Sequence, residues 1–249
     1  MSSSTKFTEY FGSRAFFPVI HIDSQSLALV NAQIAVEAGA QGVFLINHGR
    51  SSDYRLPNIA MAIRQYFPKL WIGGNFLFMS PCDAQGFVNK LESPYHFDGL
   101  WVDDAMVDER LAEDDPNQGA AQLAEARKSM AWSGLYFGGT AFKYQRPVAE
   151  KDLPTAARIA SHYMDVVVTS GPGTGLAADI SKIRLMKEAL GDFPLGIASG
   201  ITLQNVEHYL PYVNAFLVST GICMNDGKGE DFYRFDAKKV KTLAEKILK

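Results

Sequence analysis

The stretch DVVVTSGPGTGLAADISKIRLMKEALGDFPLGIASGITLQNVEHYLPYVNAFLVSTGI, residues 165–222, holds three short apolar runs, VVVT, LGIAS and AFLVST. Two segments with helical spacing separate them. The runs are unbroken rather than alternating, which is the pattern of strands buried on both faces in a parallel sheet covered by helices. All three stop at small polar residues: Thr169-Ser170-Gly171, Ser199-Gly200 and Ser219-Thr220-Gly221.

Working outward, the same unit recurs along the chain. Strand-like runs bounded by turn residues are FFPVIHI (16–22), GVFLIN (42–47), LWIGGNF (70–76), GLWVDD (99–104) and GLYFGGT (134–140), ahead of the three already quoted. Helix-period segments fill the gaps: SQSLALVNAQIAVEAG, RLPNIAMAIRQYF, CDAQGFVNKLE (interrupted by Gly86), NQGAAQLAEARKSMAW, KDLPTAARIASHY, DISKIRLMKEALG, TLQNVEHYLPYV and FDAKKVKTLAEKILK. Eight such repeats with short links predict an α/β fold, a single-domain (β/α)8 TIM barrel over residues 1–249. An open doubly wound sheet is the alternative, and the absence of a GxGxxG after the first strand argues against its dinucleotide-binding form. The acidic segment 103–118, DDAMVDERLAEDDPNQ, is either a lid or a solvated loop.

Composition narrows the functional classes. With 249 residues, 47% hydrophobic and 20% charged, the chain is an ordinary globular one, and a net charge of −3 offers nothing to nucleic acid. MSSSTKFTEYF lacks the basic start and apolar core of a secretory signal, and no apolar run approaches the roughly 20 residues of a membrane helix. A cytoplasmic protein with no integral membrane segment is expected. Cys82 and Cys223 lie far apart without metal-binding neighbours, so two free thiols are expected, and no structural metal.

The late strand ends suggest an anion. Phosphate needs convergent N–H donors and close backbone approach, which glycine permits, and barrels commonly bind it after strands 7 and 8. The candidate binding residues are Thr169, Ser170, Gly171, Gly173, Thr174 and Gly175 after the sixth run, Ser199 and Gly200 after the seventh, and Ser219, Thr220 and Gly221 after the eighth. Thr202 is placed to cap the following helix. The same small residues could simply form tight turns.

Other strand ends carry His21 and Asp23, two apart and so on one side of a strand, Asn47 and His48, Asn75, Asp103 and Asp104, and Lys143. Asn47 and Asn75 are read as further ligand-binding residues. Lys143, Asp103 and His21 form a candidate catalytic set: proton transfer suits these groups, and a desolvated lysine forms Schiff bases. Phe76, Phe78, Trp101 and Tyr144 could stack on a ring or merely pack. No cofactor is expected, although carboxylates could hold Mg²⁺ if a phosphate completed its shell. The chain lacks HExxH, EF-hand, Walker A and GxSxG motifs.

Three late segments together resemble the BtpA (BtpA/SgcQ) family of the phosphate-binding TIM-barrel superfamily. DVVVTSGPGTG is similar to its double Thr-Gly segment. LGIASGITLQNVEHYL is similar to its Ser-Gly-X-Thr-X-X-Asn-Val element, through Ser199, Gly200, Thr202, Asn205 and Val206. FLVSTGICMNDGKGEDFYRFDAKKV is similar to its last strand, glycine loop and helix start, through Asp236 and Val240. Asn47, Gly74, Asn75, Leu77 and Lys143 match fainter motifs, with Tyr144 standing where the family has histidine. The start keeps His21 but lacks the family's proline- and glycine-rich loop. The resemblance implies a phosphate-binding barrel and leaves activity open between sugar-phosphate chemistry and a role in photosystem I biogenesis.

These observations give three functional readings. The first is a lyase or isomerase acting on a small phosphorylated, sugar- or ribose-like metabolite, with Lys143 as base or Schiff-base former and Asp103 as its acid/base partner. The second is a non-catalytic assembly or membrane-complex biogenesis factor that keeps the barrel. The third, phosphoribosyl transfer or base salvage, lacks the acidic pair and hydroxyl-rich loop a diphosphate would need. A homo-oligomer is expected, with YLPYVNAF (209–216) or the first two barrel helices as its contact face.

Overall fold

A computed structural model describes residues 3–48, 53–111, 116–130 and 132–249. Eight strands, β1 (Ala15–His21), β2 (Gly42–Ile46), β3 (Trp71–Asn75), β4 (Gly99–Val102), β5 (Leu135–Gly139), β6 (Val166–Ser170), β7 (Leu195–Ala198) and β8 (Ala215–Val218), lie parallel in sequence order. β1 pairs with both β2 and β8, so the sheet closes and the open-sheet alternative is excluded. Outside lie helices α2 (Gln25–Glu37), α3 (Leu56–Tyr66), α4 (Pro81–Asn89), α5 (Gln118–Ser129), α6 (Leu153–Ser161), α7 (Ile180–Leu190), α8 (Val206–Tyr209) and α9 (Ala237–Leu248).

Every strand residue is buried, which is why the strands read as continuous apolar runs. Alternate side chains serve two cores. Phe17, Val19, Phe44, Trp71, Phe137 and Leu217 fill the barrel, with Phe44 and Phe137 meeting edge to face at 5.1 Å. Phe16, Ile20, Leu45, Ile72, Val167 and Phe216 face the helices.

The sequence reading assigned no element to the N-terminal segment, yet α1 (Ser3–Phe11) precedes β1. Its Phe7 and Phe11 are buried in the barrel-filling cluster, and Phe11 stands 4.9 Å from Phe17 and 5.4 Å from Trp71, closing the end where strands begin. At that end a pattern repeats. Gln41, Asp98, Asp165 and Asn214 each precede an even-numbered strand, and each accepts an N–H from the preceding strand: from Phe16, Ile72, Tyr136 and Leu195. These side chains satisfy donors that the ladder leaves open.

Two expectations need correction. YLPYVNAF is not an exposed contact face: Tyr209, Val213, Ala215 and Phe216 are buried, and the Tyr209 hydroxyl donates to Ala178 O at 2.6 Å. The helix expected across residues 202–213 shrinks to the four residues of α8. Cys82 is exposed and Cys223 buried, both as free thiols. Among the described residues, no helix is long and apolar enough to cross a membrane.

Candidate active site

The strand pleat decides which end residues look inward. His21 continues the inward series Phe17 and Val19; His48 continues Phe44 and Ile46; Asp103 continues Trp101. With loops from β5 to β8 they surround a cleft at the C-terminal mouth, lined by His21, His48, Lys143, Thr174, Gly175, Ser199–Ile201 and Ser219–Gly221 over a floor that includes Trp101 and Leu217.

Three loops interlock on one side. A Cβ on Gly221 would lie 2.0 Å from Ile201 O, and one on Gly200 would lie 2.3 Å from Ala177 N. The loops after β6, β7 and β8 thus pack backbone against backbone, which no side chain at these glycines would allow. Ser199 and Gly200 both adopt left-handed backbone, with φ of 72° and 69°. For Ser199 that is a strained conformation of the kind held at ligand clamps. The N–H groups of Ser199, Gly200, Thr220 and Gly221 find no acceptor among the described residues. Thr202 is not the helix cap expected of it. Asn205 takes that part of the loop instead: its Oδ1 accepts from Thr202 N at 2.8 Å and its Nδ2 donates to Gly200 O at 2.8 Å.

Opposite the amides stand the titratable groups. The rings of His21 and His48 stack at 5.2 Å, and Phe232 meets His21 in a T-shaped pair at 4.0 Å. His21 is buried, and its Nδ1 has no hydrogen-bond partner among the described residues. Burial, followed by repulsion from His48 and Lys143, holds its pKa well below the ordinary imidazole value. His48 is lowered more mildly by the same causes in part, burial and then Lys143, with Asp103 opposing. Burial raises the Asp103 carboxyl, against a 2.9 Å hydrogen bond from Asn75 Nδ2 and the attraction of Lys143 and His48. Lys143 Nζ donates to Thr174 Oγ1 at 3.3 Å, and the Tyr144 hydroxyl lies 3.4 Å from that oxygen.

The residues named from sequence therefore divide. His21, Lys143, Thr174, Gly175, Ser199, Gly200, Ser219, Thr220 and Gly221 line the cleft together. Asn75 and Asp103 are joined to each other and lie within electrostatic reach of Lys143. Asn47 is elsewhere: wholly buried on the outward side of β2, it hydrogen-bonds Asp53. Thr169 faces outward and donates to Ala141 O, and Ser170 Oγ accepts from Lys143 N at 2.8 Å and donates to Gly171 O. Gly171 is packed against Leu176 O and Gly173 beside Leu176, so both shape the loop rather than the cleft. Asp23 lies past the end of β1, so the period-two pairing with His21 does not reach it. Phe76 and Trp101 are buried in packing, whereas Phe78 and Tyr144 are exposed.

Sequence reasoning missed Phe232, because its partners are distant in the chain, and Lys182, whose Nζ donates to Ala141 O at 2.5 Å and Ser170 O at 2.8 Å. The acidic segment 103–118 is tethered at Glu109, whose carboxylate takes two bonds from Arg146, of 2.6 and 2.8 Å; residues 112–115 lie outside the described residues. Among the described residues, no group of three or more His, Cys, Asp or Glu side chains could hold a metal ion, so Mg²⁺ here would depend on ligand oxygens.

The fold and mouth define a (β/α)8 barrel with a polar cleft at the carboxyl ends of its strands. The chain belongs to the BtpA family, whose model matches residues 116–249, more than half its length. An uncharacterised protein of Thermococcus kodakarensis is 33% identical over 230 residues, spanning 88% of this chain and 85% of its own. Another, from Methanocaldococcus jannaschii, is 25% identical over 235 residues, spanning 90% and 87%. Among solved structures, (S)-3-O-geranylgeranylglyceryl phosphate synthase from Thermoplasma acidophilum superposes with a TM-score of 0.65 at 14% identity, covering 99% of this chain and 98% of that one. Orotidine 5′-monophosphate decarboxylase from Methanocaldococcus jannaschii gives 0.58 at 12% identity, covering 95% and 100%. At such identities the likeness is one of fold.

Proposed function

We propose that the protein binds a small phosphorylated metabolite at the barrel mouth and catalyses lyase- or isomerase-type proton transfer on it. The observation that carries this reading is that Ser199, Gly200, Thr220 and Gly221, whose N–H groups have no acceptor among the described residues, line one cleft with Lys143 and two histidines. Hydrogen bonds from such amides to a charged phosphate contribute about 1.5–3 kcal/mol each. The structural neighbour from Thermoplasma acidophilum was determined with its substrate sn-glycerol-1-phosphate, which supports the reading as chemistry this fold can host.

With the phosphate on the β7 and β8 loops, the rest of the metabolite extends toward Lys143 and Asp103. With Lys143 as the free amine and Asp103 as the carboxylic acid, a form that burial favours, Lys143 takes a proton from the carbon beside a carbonyl and Asp103 returns one. The imidazoles, held neutral, offer hydrogen bonds without adding charge.

Calorimetric unfolding against ribose 5-phosphate, sn-glycerol-1-phosphate and their dephosphorylated counterparts tests binding. Ligand at 100 times its Kd adds about 2.7 kcal/mol of stability. Stabilisation confined to the phosphorylated compounds supports the reading, and none with any of them rejects it in favour of a non-catalytic barrel. Exchange of ligand C–H for deuterium, followed by NMR and lost in Lys143→Ala, tests the chemistry.

A further inference from the structure

The segment that presents Lys143 is held in an expensive way. Ala141 adopts left-handed backbone with φ of 48°, and Tyr144 does so with φ of 64°. Left-handed backbone costs a residue with a side chain roughly 1–2 kcal/mol. Three sets of bonds hold the segment there. The Ala141 carbonyl accepts from Lys182 Nζ at 2.5 Å and from Thr169 Oγ1 at 3.1 Å. Lys143 N donates to Ser170 Oγ at 2.8 Å, and the carbonyl of that serine accepts the second bond from Lys182 Nζ, at 2.8 Å. Gln145 Oε1 accepts from Phe142 N at 3.0 Å, and its Nε2 donates to Asp103 O at 2.6 Å.

Lys182 is the keystone of this network. It is the third residue of α7, whose start is capped by Asp179, and it reaches out of the helix to two carbonyls that flank the Lys143 amide. Its ammonium is not in an ion pair among the described residues, so its role is spent on backbone. Orienting two carbonyl dipoles with a half-buried charge costs desolvation that a neutral side chain would avoid.

We infer that Lys182 is a positioning residue: its ammonium clamps the Ala141 and Ser170 carbonyls and so sets where Lys143 stands relative to Asp103 at the mouth. This rests on the proposed role of Lys143, and it deepens that reading by adding a dependence on a lysine that need not touch the ligand. Burial lowers the pKa of Lys182 to about 8.

Amide hydrogen exchange on the whole protein reads the clamp without any ligand, and calorimetry with ribose 5-phosphate reads its consequence. In Lys182→Met, protection of the Lys143 amide should fall at least about tenfold, while core amides of β6 and β7 keep theirs; affinity for ribose 5-phosphate should fall about tenfold, equivalent to 1.4 kcal/mol. Lys182→Arg, which still donates to both carbonyls, should restore most of both. Ser170→Ala removes the acceptor of the Lys143 amide, together with the bond to Gly171 O, and should reproduce the exchange change if Lys182→Met does not fold. A fall spread evenly over the barrel, or an unchanged Lys143 amide in these variants, overturns the clamp. Should exchange respond as described while the wild type binds no phosphorylated compound, the clamp stands and the phosphate reading fails.

Discussion

His21 and His48 stack across the barrel mouth with ring centroids 5.2 Å apart and planes 9° from parallel. Both pKa values lie below the ordinary 6.5, so both rings are neutral at pH 7. In the unfolded chain each histidine takes up a proton near 6.5. The folded state resists, so stability is full above that pH and is lost as pH falls below it, until the folded rings protonate as well. Urea unfolding should give a smaller free energy at pH 5 than at pH 7.5, and His21→Asn should shrink that difference. Imidazole NMR showing His21 titrating at or above 6.5 would contradict this.

Gly221→Ala should cost about 2 kcal/mol, because its Cβ would sit 2.0 Å from Ile201 O in a loop with no room to shift. Gly39→Ala is the control. Gly39 has φ of +82° and nothing within 4 Å of its Cβ, so only the backbone conformation is strained, at about 1 kcal/mol. Phosphate-ester affinity should fall in the first variant and hold in the second. Equal affinity in both would detach the β8 loop from the site.

Lys182 also makes a stability prediction. Its folded pKa is about 8 against the usual 10.5. Between these values the unfolded chain carries a proton that the folded protein does not, so stability gains with rising pH in that window. Lys182→Met should flatten this part of the pH profile. An identical profile in the variant would mean that the ammonium is not desolvated.

At the opposite end of the barrel, Phe7→Ala should destabilise by about 3 kcal/mol or more, since the ring is buried in the barrel-filling cluster. Tyr10→Ala, on the exposed side of the same helix, should stay within about 0.5 kcal/mol. Neither should move ligand affinity, which calorimetry can check.

Much of the barrel was legible because parallel strands buried on both faces must be apolar throughout; VVVTS and GVFLI could be read with no partner in view. The repeated acceptor before each even-numbered strand, Gln41, Asp98, Asp165 and Asn214, was not read from the sequence, because the N–H that each accepts belongs to the neighbouring strand. The mouth was only half legible. Asn47 and His48 both stood out at the end of the second run, but which of them faces inward depends on pleat phase, since a shift of one residue exchanges inside for outside. Thr202 looked like a cap by residue type alone, but the turn before α8 places Asn205 where both bonds can form. Segment α1 escaped notice because its amphipathic face is completed only by Phe17 and Trp71 of the barrel.

What the amino-acid order determined by itself was periodicity: which residues are apolar, at what spacing, and hence that strands and helices alternate around a covered parallel sheet. Where those elements meet was decided in three dimensions. The contact of Phe232 with His21, the reach of Lys182 to the Lys143 loop and the interlocking of Gly200 and Gly221 with neighbouring turns all join residues from different repeats. Local spacing encodes the repeats, whereas ring closure and the desolvation that comes with it bring such residues together and shift their charges.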